Sequence, residues 1–280
     1  MEQIELDNLL YQILYGIYYF THNKISYKCV PNTLQDKYEA GLIYQDVMRD
    51  IRYEEMLTWE QAQRISQMNG TWTVKDEAGM KDLEKMVENT KLQLYINHTN
   101  PQSVQQLKKK LKKIQTGIAR SNVTKHKLYH ATKEAHAENV RREYLIAVSI
   151  RDKFDNKLYN IDSFWDCDNT IIQSASENAS DIAMNKIRKI ARTEPWRSMW
   201  IAQKGECIGK PSVEWTEHQR ILCSFSKMYD NVYESTECPP DEVIEDDDIL
   251  DGWFIKQRKD RDEAKKEKST DHNFGTHKGK

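Results

Sequence analysis

Glycine and proline are scarce in this chain, with ten glycines and six prolines among 280 residues. Because phosphate-binding loops and tight β-hairpin turns depend on glycine, the chain has little material for either. It contains no GxGxxG, GxxxxGK[ST] or GxSxG pattern. These absences weigh against the common α/β enzymes, and we expect a non-enzymatic protein without a cofactor.

Cysteine usage argues against a disulfide framework. The cysteines are odd in number, lie far apart and form no CxxC pair: Cys29, Cys167, Cys207, Cys223 and Cys238. Such usage is typical of a reducing compartment.

The uncharged run 9–20 is shorter than the ~20 residues that span a bilayer, and acidic rather than basic residues precede it. We therefore expect a soluble, cytosolic chain with no membrane partner.

The composition favours helices over a dense α/β core. Hydrophobic residues make up 38% of the chain and charged residues 31%, a balance typical of helices with wide solvated faces. The net charge of −2 provides no global attraction to nucleic acid or to an anionic membrane. We predict a mainly α fold, and the length allows one large domain or two modest ones.

The clearest pattern is a helical hairpin that starts near Thr73 and ends near Ile118. The first arm repeats apolar seam residues at steps of three and four: Met80, Leu83, Val87, Thr90 and Leu94. The second arm does the same: Leu107, Leu111, Ile114 and Ile118. Between them, Pro101 cannot continue a helix. Two seams of matching period joined by a short break predict an antiparallel, coiled-coil-like pair.

Helices are also predicted on both sides of the hairpin. Segment 4–20 has helical spacing, although its tyrosines also suit a strand, and it must bury its surface in its own core or in a partner's groove. Thr33 is the predicted N-cap of the next helix, and Thr58 opens a capping box whose helix stops at Asn69–Gly70. Alanine-rich spacing over 128–147 predicts a third helix that folds back on the hairpin or prolongs it.

The pattern changes near residue 151. Asp155–Asn156 predicts a turn, 157–161 a short strand, and Thr216 the start of a helix. A helix is predicted over 180–191, with four buried candidates: Ile182, Met184, Ile187 and Ile190. The predicted division has four parts: a helical region at 1–72, the hairpin and third helix at 73–150, an aromatic-rich mixed region at 151–233, and an acidic linker, apolar motif and charged, partly disordered tail at 234–280.

The acidic run 245–248 precedes an apolar patch. Carboxylates in such a run can bind a divalent cation, including the catalytic cation of a metal-dependent hydrolase. Consecutive carboxylates after a double proline, here Pro239–Pro240, more often form a hydrated, extended linker. The patch has the make-up of a docking motif, in which buried aromatics supply affinity. Its candidate partner-binding residues are Ile249, Leu250, Trp253 and Phe254. Packing of the same residues on the parent domain is an equal alternative.

Two further clusters allow other chemistry. Five lysines stand between the seam residues of helix 107–120: Lys108, Lys109, Lys110, Lys112 and Lys113. They could contact nucleic-acid phosphates, although a solvated helix face explains them more simply.

His126 and His130 lie four apart, as metal ligands on one helix face do, with His136 farther on. No HExxH pattern accompanies them, and we expect no metal.

Several phrases of the sequence resemble proteins of large contractile-tailed bacteriophages. They are 27–31 (YKCVP), 69–72 (NGTW), 191–200 (ARTEPWRSMW) and 228–235 (MYDNVYES) through 248–253 (DILDGW). The resemblance implies a non-enzymatic tail or baseplate assembly protein, of the group that includes hub-assembly chaperones, and it transfers no functional residue. It implies phage structural or tail proteins as partners, with self-association as a further option, and a place in the host cytoplasm or the virion. The alternative hypothesis is a nucleic-acid-associated phage factor, in transcription or packaging, that uses helix 107–120.

Overall fold

The computed structural model describes residues 3–178 and 182–274, and within them the chain is mainly helical, as predicted. The helices are α1 (Gln3–Tyr15), α2 (Leu34–Arg49), α3 (Trp59–Met68), α4 (Val74–Ile96), α5 (Pro101–Lys125), α6 (Lys133–Ser149), α7 (Asn169–Asn178), α8 (Met184–Arg192), α9 (Trp196–Gln203), α10 (Glu217–Tyr233), α11 (Asp241–Glu245) and α12 (Asp247–Phe274). Three strands, β1 (Tyr18–His22), β2 (Ile25–Cys29) and β3 (Ile150–Arg151), form one antiparallel sheet in that order.

Threonine side chains start four helices where the sequence predicted. In each case the hydroxyl accepts a hydrogen bond from the backbone N–H three residues later, and the side chain of that later residue accepts one from the threonine N–H. The four residues are Thr33, Thr58, Thr73 and Thr216. The predicted stop of α3 is confirmed as well, since Gly70 adopts a φ of 66° just beyond the helix.

The contacts divide the chain into two compact units, each discontinuous in sequence. Unit 1 comprises Met1–Ala62 with Tyr129–Ser235, and unit 2 comprises Gln63–Leu128 with Thr236–Lys280. The predicted boundary after residue 150 falls inside unit 1, because α6 packs on α2 and β3 pairs with β2. The third helix, predicted to fold back on the hairpin or prolong it, therefore belongs to the core of unit 1.

The predicted N-terminal helix ends earlier than residue 20. Gly16 has a φ of 65°, and a Cβ at this position would lie 2.8 Å from Pro31 Cγ, so the close approach requires glycine. The chain then enters β1, where Phe20 is buried and its ring stacks on that of Tyr27 with centroids 5.5 Å apart. Packing on the sheet thus overrides the helical spacing of this segment.

The predicted strand at 157–161 is corrected. Lys157 alone forms an isolated bridge, to Arg151. The apolar members of the segment pack against the buried core instead: Leu158, Tyr159 and Ile161. The turn predicted before it is present, since Asp155 has a φ of 72°.

The helix predicted over 180–191 is observed as α8. Positions 180 and 181 lie outside the described residues. Three of the four buried candidates are in the core: Ile182, Ile187 and Ile190. Met184, the first residue of the helix, is 59% exposed.

A polar network centred on Asp230 joins α9 to α10 in unit 1. The Asp230 carboxylate accepts hydrogen bonds from Arg197 Nη2 at 2.7 Å, Trp200 Nε1 at 2.8 Å and Lys204 Nζ at 2.9 Å. Burial alone would raise the pKa of Asp230, but these hydrogen bonds outweigh it and lower the pKa. The network explains how the aromatic-rich region tolerates a charge in its interior.

Unit 2 contains the hairpin and a third long helix. Lys125, at the end of α5, pairs with Glu77, at the start of α4, with an Nζ to Oε2 distance of 2.9 Å, so the two arms run antiparallel. Four residues of the seam are buried: Thr90, Leu94, Leu111 and Ile114. The other five are half-buried: Met80, Leu83, Val87, Leu107 and Ile118. α12 packs along α4, which the sequence analysis did not anticipate, and the coiled-coil character of the pair stays a prediction.

Candidate interaction surfaces

The apolar motif predicted as a partner anchor lies inside unit 2. Leu250 is 0% exposed and Trp253 4% exposed, Ile249 is also buried, and Phe254 is half-buried. They belong to the first turns of α12, the helix that packs on α4. Ile249, Leu250 and Trp253 therefore pack on their own domain, as in the alternative interpretation, and only Phe254 keeps part of its side chain at the surface.

The acidic run is part of the same packing. Asp246 Oδ1 accepts hydrogen bonds from the backbone N–H groups of Asp248 and Ile249 and so caps α12. Lys91 Nζ lies 2.6 Å from Asp251 Oδ2 and 3.4 Å from Asp248 Oδ1. The prediction of an extended linker is therefore wrong for these residues. Asp246 caps α12, and Asp248 lies within ion-pair distance of Lys91.

Four lysines of α5 remain available at the surface. Lys108 forms an ion pair with Asp246. The others are exposed and make no ion pair with the described residues: Lys109, Lys110, Lys112 and Lys113. The whole of α5 contains no aspartate or glutamate, so no carboxylate of the same helix offsets the charge of these four lysines.

The histidines do not share a helix face. His126 is the C-cap of α5, with Nδ1 2.9 Å from Asn122 O, whereas His130 stands in a separate helical turn before α6. His136 packs its ring on Tyr53 with centroids 4.4 Å apart. Among the described residues, no group of three His, Cys, Asp or Glu side chains is placed to hold a metal ion.

A histidine and a serine meet in unit 1, at the end of β1. His22 Nδ1 lies 3.0 Å from Ser174 Oγ, and His22 Nε2 lies 2.9 Å from Asn23 Nδ2. Because the amide nitrogen of Asn23 can only donate, His22 Nε2 must accept this hydrogen bond. His22 Nδ1 then carries the proton and donates to Ser174 Oγ. The hydroxyl of Ser174 in turn donates to Thr170 O at 2.9 Å. In this arrangement the imidazole is not a base toward Ser174, so the pair braces α7 against the hairpin of β1 and β2.

The buried thiols are poor nucleophiles. Cys29 is 1% and Cys223 2% exposed. Burial raises the pKa of Cys29, and it raises that of Cys223 to about 12. Because the thiolate is the reactive form, neither residue is poised for covalent chemistry at neutral pH.

A group of exposed tyrosines lies on unit 1. Helix α1 buries one face through Leu6, Leu10 and Ile13. Its opposite face exposes Tyr11 at 63% and Tyr15 at 53%, and their rings lie 4.4 Å apart.

Tyr19 of β1 extends this group, which we call the tyrosine surface (Tyr11, Tyr15 and Tyr19). Tyr19 is 73% exposed. A hydrogen bond with Tyr15 raises the pKa of Tyr11, and the phenol of Tyr19 adds to the shift, so both of these hydroxyl groups lie within electrostatic range of Tyr11. The uncharged run 9–20 was the sequence signal for this surface, since a helix so poor in charge needs cover on more than one face.

Comparison with family models, curated proteins and solved structures found no match to this chain. None of the described helices is both long and apolar enough to cross a bilayer.

Proposed function

We propose that this protein is a non-enzymatic assembly or structural protein of a contractile-tailed bacteriophage, acting in tail or baseplate assembly through protein–protein contacts. The observation that carries the proposal is the tyrosine surface. The phage setting rests on the sequence phrases that resemble tail and baseplate proteins, and it implies work in the host cytoplasm or within the virion.

The chemistry of the tyrosine surface suits a protein partner. Tyrosine presents a large, rigid ring and a hydroxyl at low conformational cost, and it is enriched where proteins bind one another. No charged residue stands between Leu9 and Phe20, so covering this face requires no desolvation of an ion within that run. Aromatic side chains grouped in this way are the usual energetic centre of an interface.

Affinity capture from infected cells tests the proposal. Tagged protein should recover identified tail or baseplate proteins. The triple variant Tyr11→Ser, Tyr15→Ser, Tyr19→Ser should recover at least tenfold less of them, as expected when the binding free energy falls by ~1.4 kcal/mol or more. The control is Tyr38→Ser, because Tyr38 is 68% exposed on α2, outside the surface. Wild-type protein that recovers no phage structural protein, at moderate and at high salt, would overturn the assembly role.

The lysines of α5 favour a second candidate, a nucleic-acid-associated phage factor. Four exposed cations on a helix without acidic residues can neutralise phosphates. Replacing Lys109, Lys110, Lys112 and Lys113 by Gln should then abolish DNA binding that weakens steeply with salt. Replacing Lys75, Lys81 and Lys85 of α4 by Gln is the control, and equal loss in both variants, or binding insensitive to salt, would exclude this candidate.

A further inference from the structure

Unit 1 contains a cavity of about 380 Å³. It is open to solvent on one side and lined by the end of α1, the segment after β2, one face of α6 and the start of α10. Its floor is apolar and partly aromatic: Tyr18, Val30, Pro31, Leu145, Ile146 and Trp215. Its volume is at the small end of the range for ligand pockets, enough for one or two amino-acid residues.

The rim of the cavity carries more positive than negative charge. Its cations are Lys37, Arg142 and Arg220, and its carboxylates are Glu214 and Glu217. None of these five side chains makes an ion pair with the described residues. α2 and α10 also begin beside it, and their N-terminal ends add partial positive charge.

Lys210 stands next to this rim. The indole N–H of Trp215 donates to Lys210 O at 2.8 Å. Burial lowers the pKa of Lys210, and the charge of Lys37 lowers it further against the opposing effect of Glu214. Lys37 and Lys210 therefore lie close enough to repel each other, although the attraction between Lys210 and Glu214 is the larger of the two effects.

The wall also holds a polar atom without a partner. Asn32 lines the cavity, and its buried side-chain oxygen has no hydrogen-bond donor among the described residues. An unpaired buried acceptor is unfavourable, because it has lost its hydrogen bonds to water without gaining others. Rotation of this amide toward the cavity would let a ligand N–H remove the cost.

We propose that this cavity binds the C-terminal residue of a partner polypeptide, with the free carboxylate at Lys37, Arg142 and Arg220 and an apolar side chain on the floor. A chain terminus combines what the cavity offers: an anion for the cations, a backbone N–H for Asn32 and an apolar group for Leu145 and Ile146. The inference rests on the proposed function, because an assembly partner supplies the terminus. It is independent of the tyrosine surface, which lies on other residues.

Fluorescence anisotropy with a labelled hexapeptide tests the inference on the full chain. The probe is Gly-Ser-Gly-Ser-Gly-Leu with a free C-terminal carboxylate, compared with the same peptide ending in an amide. The acid should bind at least tenfold more tightly than the amide. Arg142→Gln with Lys37→Gln should remove that preference, and Glu214→Gln should strengthen binding of the acid, since it removes a repelling charge.

The control variant is Lys227→Gln, which removes an exposed cation of α10 outside the cavity and should leave binding unchanged. The inference would be overturned if the acid and the amide bound with equal affinity, or if neither bound at millimolar concentration. It would also be overturned if none of the rim variants changed the affinity for the acid. Binding of inorganic phosphate without the peptide would overturn it as well, since it would assign the site to a small anion. If phage proteins are captured through the tyrosine surface while no peptide binds, the proposed function stands and this inference fails.

Discussion

Gly252 of α12 lies directly against the backbone of Lys91 in α4. A Cβ built at Gly252 would be 2.1 Å from Lys91 O and 2.8 Å from the Cβ of Tyr95. The obstructing atoms are backbone and Cβ atoms, which cannot rotate away. This contact sets how closely the third helix of unit 2 approaches the hairpin, and it brings Asp251 within 2.6 Å of Lys91 Nζ.

Gly252→Ala should therefore destabilise unit 2, by about 2–3 kcal/mol, because the added methyl group forces α12 away from α4. Gly79→Ala is the matched control. Gly79 also lies in a helix, has nothing within 4 Å of a built Cβ, and its replacement should stabilise by about 0.5–1 kcal/mol. Urea denaturation measures both changes, and equal stability of the two variants would contradict the close packing of Gly252.

Trp253→Ala separates a core role from a docking role. Trp253 is 4% exposed, so its truncation should cost about 3–5 kcal/mol in the free energy of unfolding. Trp165→Ala, at a side chain that is 60% exposed, should cost far less. If Trp253→Ala left stability unchanged and only weakened partner capture, the predicted docking motif would be right and the burial described above wrong.

Asp230→Asn should destabilise unit 1 by about 2–3 kcal/mol at pH 7, because it weakens hydrogen bonds from Arg197, Trp200 and Lys204 inside the structure. The lowered pKa of Asp230 means that its contribution is fully present above the ordinary aspartate pKa of about 3.9 and is lost as pH falls further through the lowered value.

The difference in unfolding free energy between wild type and Asp230→Asn should therefore narrow as the pH is lowered from about 5 toward 2. Asp46→Asn, at an exposed carboxylate of α2, is the control and should change stability by no more than about 0.5 kcal/mol. A difference that stays constant with pH would show that Asp230 does not titrate as the network requires.

Thiol alkylation should follow burial. Cys238 is exposed and should react first with iodoacetamide at pH 8. Cys29 and Cys223 should react slower by orders of magnitude, because they need an opening of the core and because burial raises the pKa of both thiols. Mass spectrometry of timed samples gives the order, and early labelling of Cys223 would contradict its place in the core.

Much of the local structure was readable from neighbouring residues. The caps at Thr33, Thr58 and Thr73 depend on a hydroxyl and a side chain three positions later, so a short stretch of sequence contains the whole interaction. The hairpin seam also follows from local spacing, and Leu94 and Leu111 lie where the spacing placed them. The candidate anchors were less predictable, since Trp253 and Phe254 have the same composition whether they pack on α4 or on a partner.

By itself, the sequence determined a helical chain, the starts of its principal helices and the hairpin, because each of these follows from contacts within a few residues. Only the tertiary structure decided that α6 joins α2, that α12 covers the hairpin, and that Tyr11 and Tyr15 face solvent while Trp253 does not. Those outcomes depend on pairing between segments far apart in the chain, such as Lys91 and Asp251, which are separated by 160 positions. Periodicity identifies an apolar face, but the segment that covers that face is chosen by packing across the whole chain.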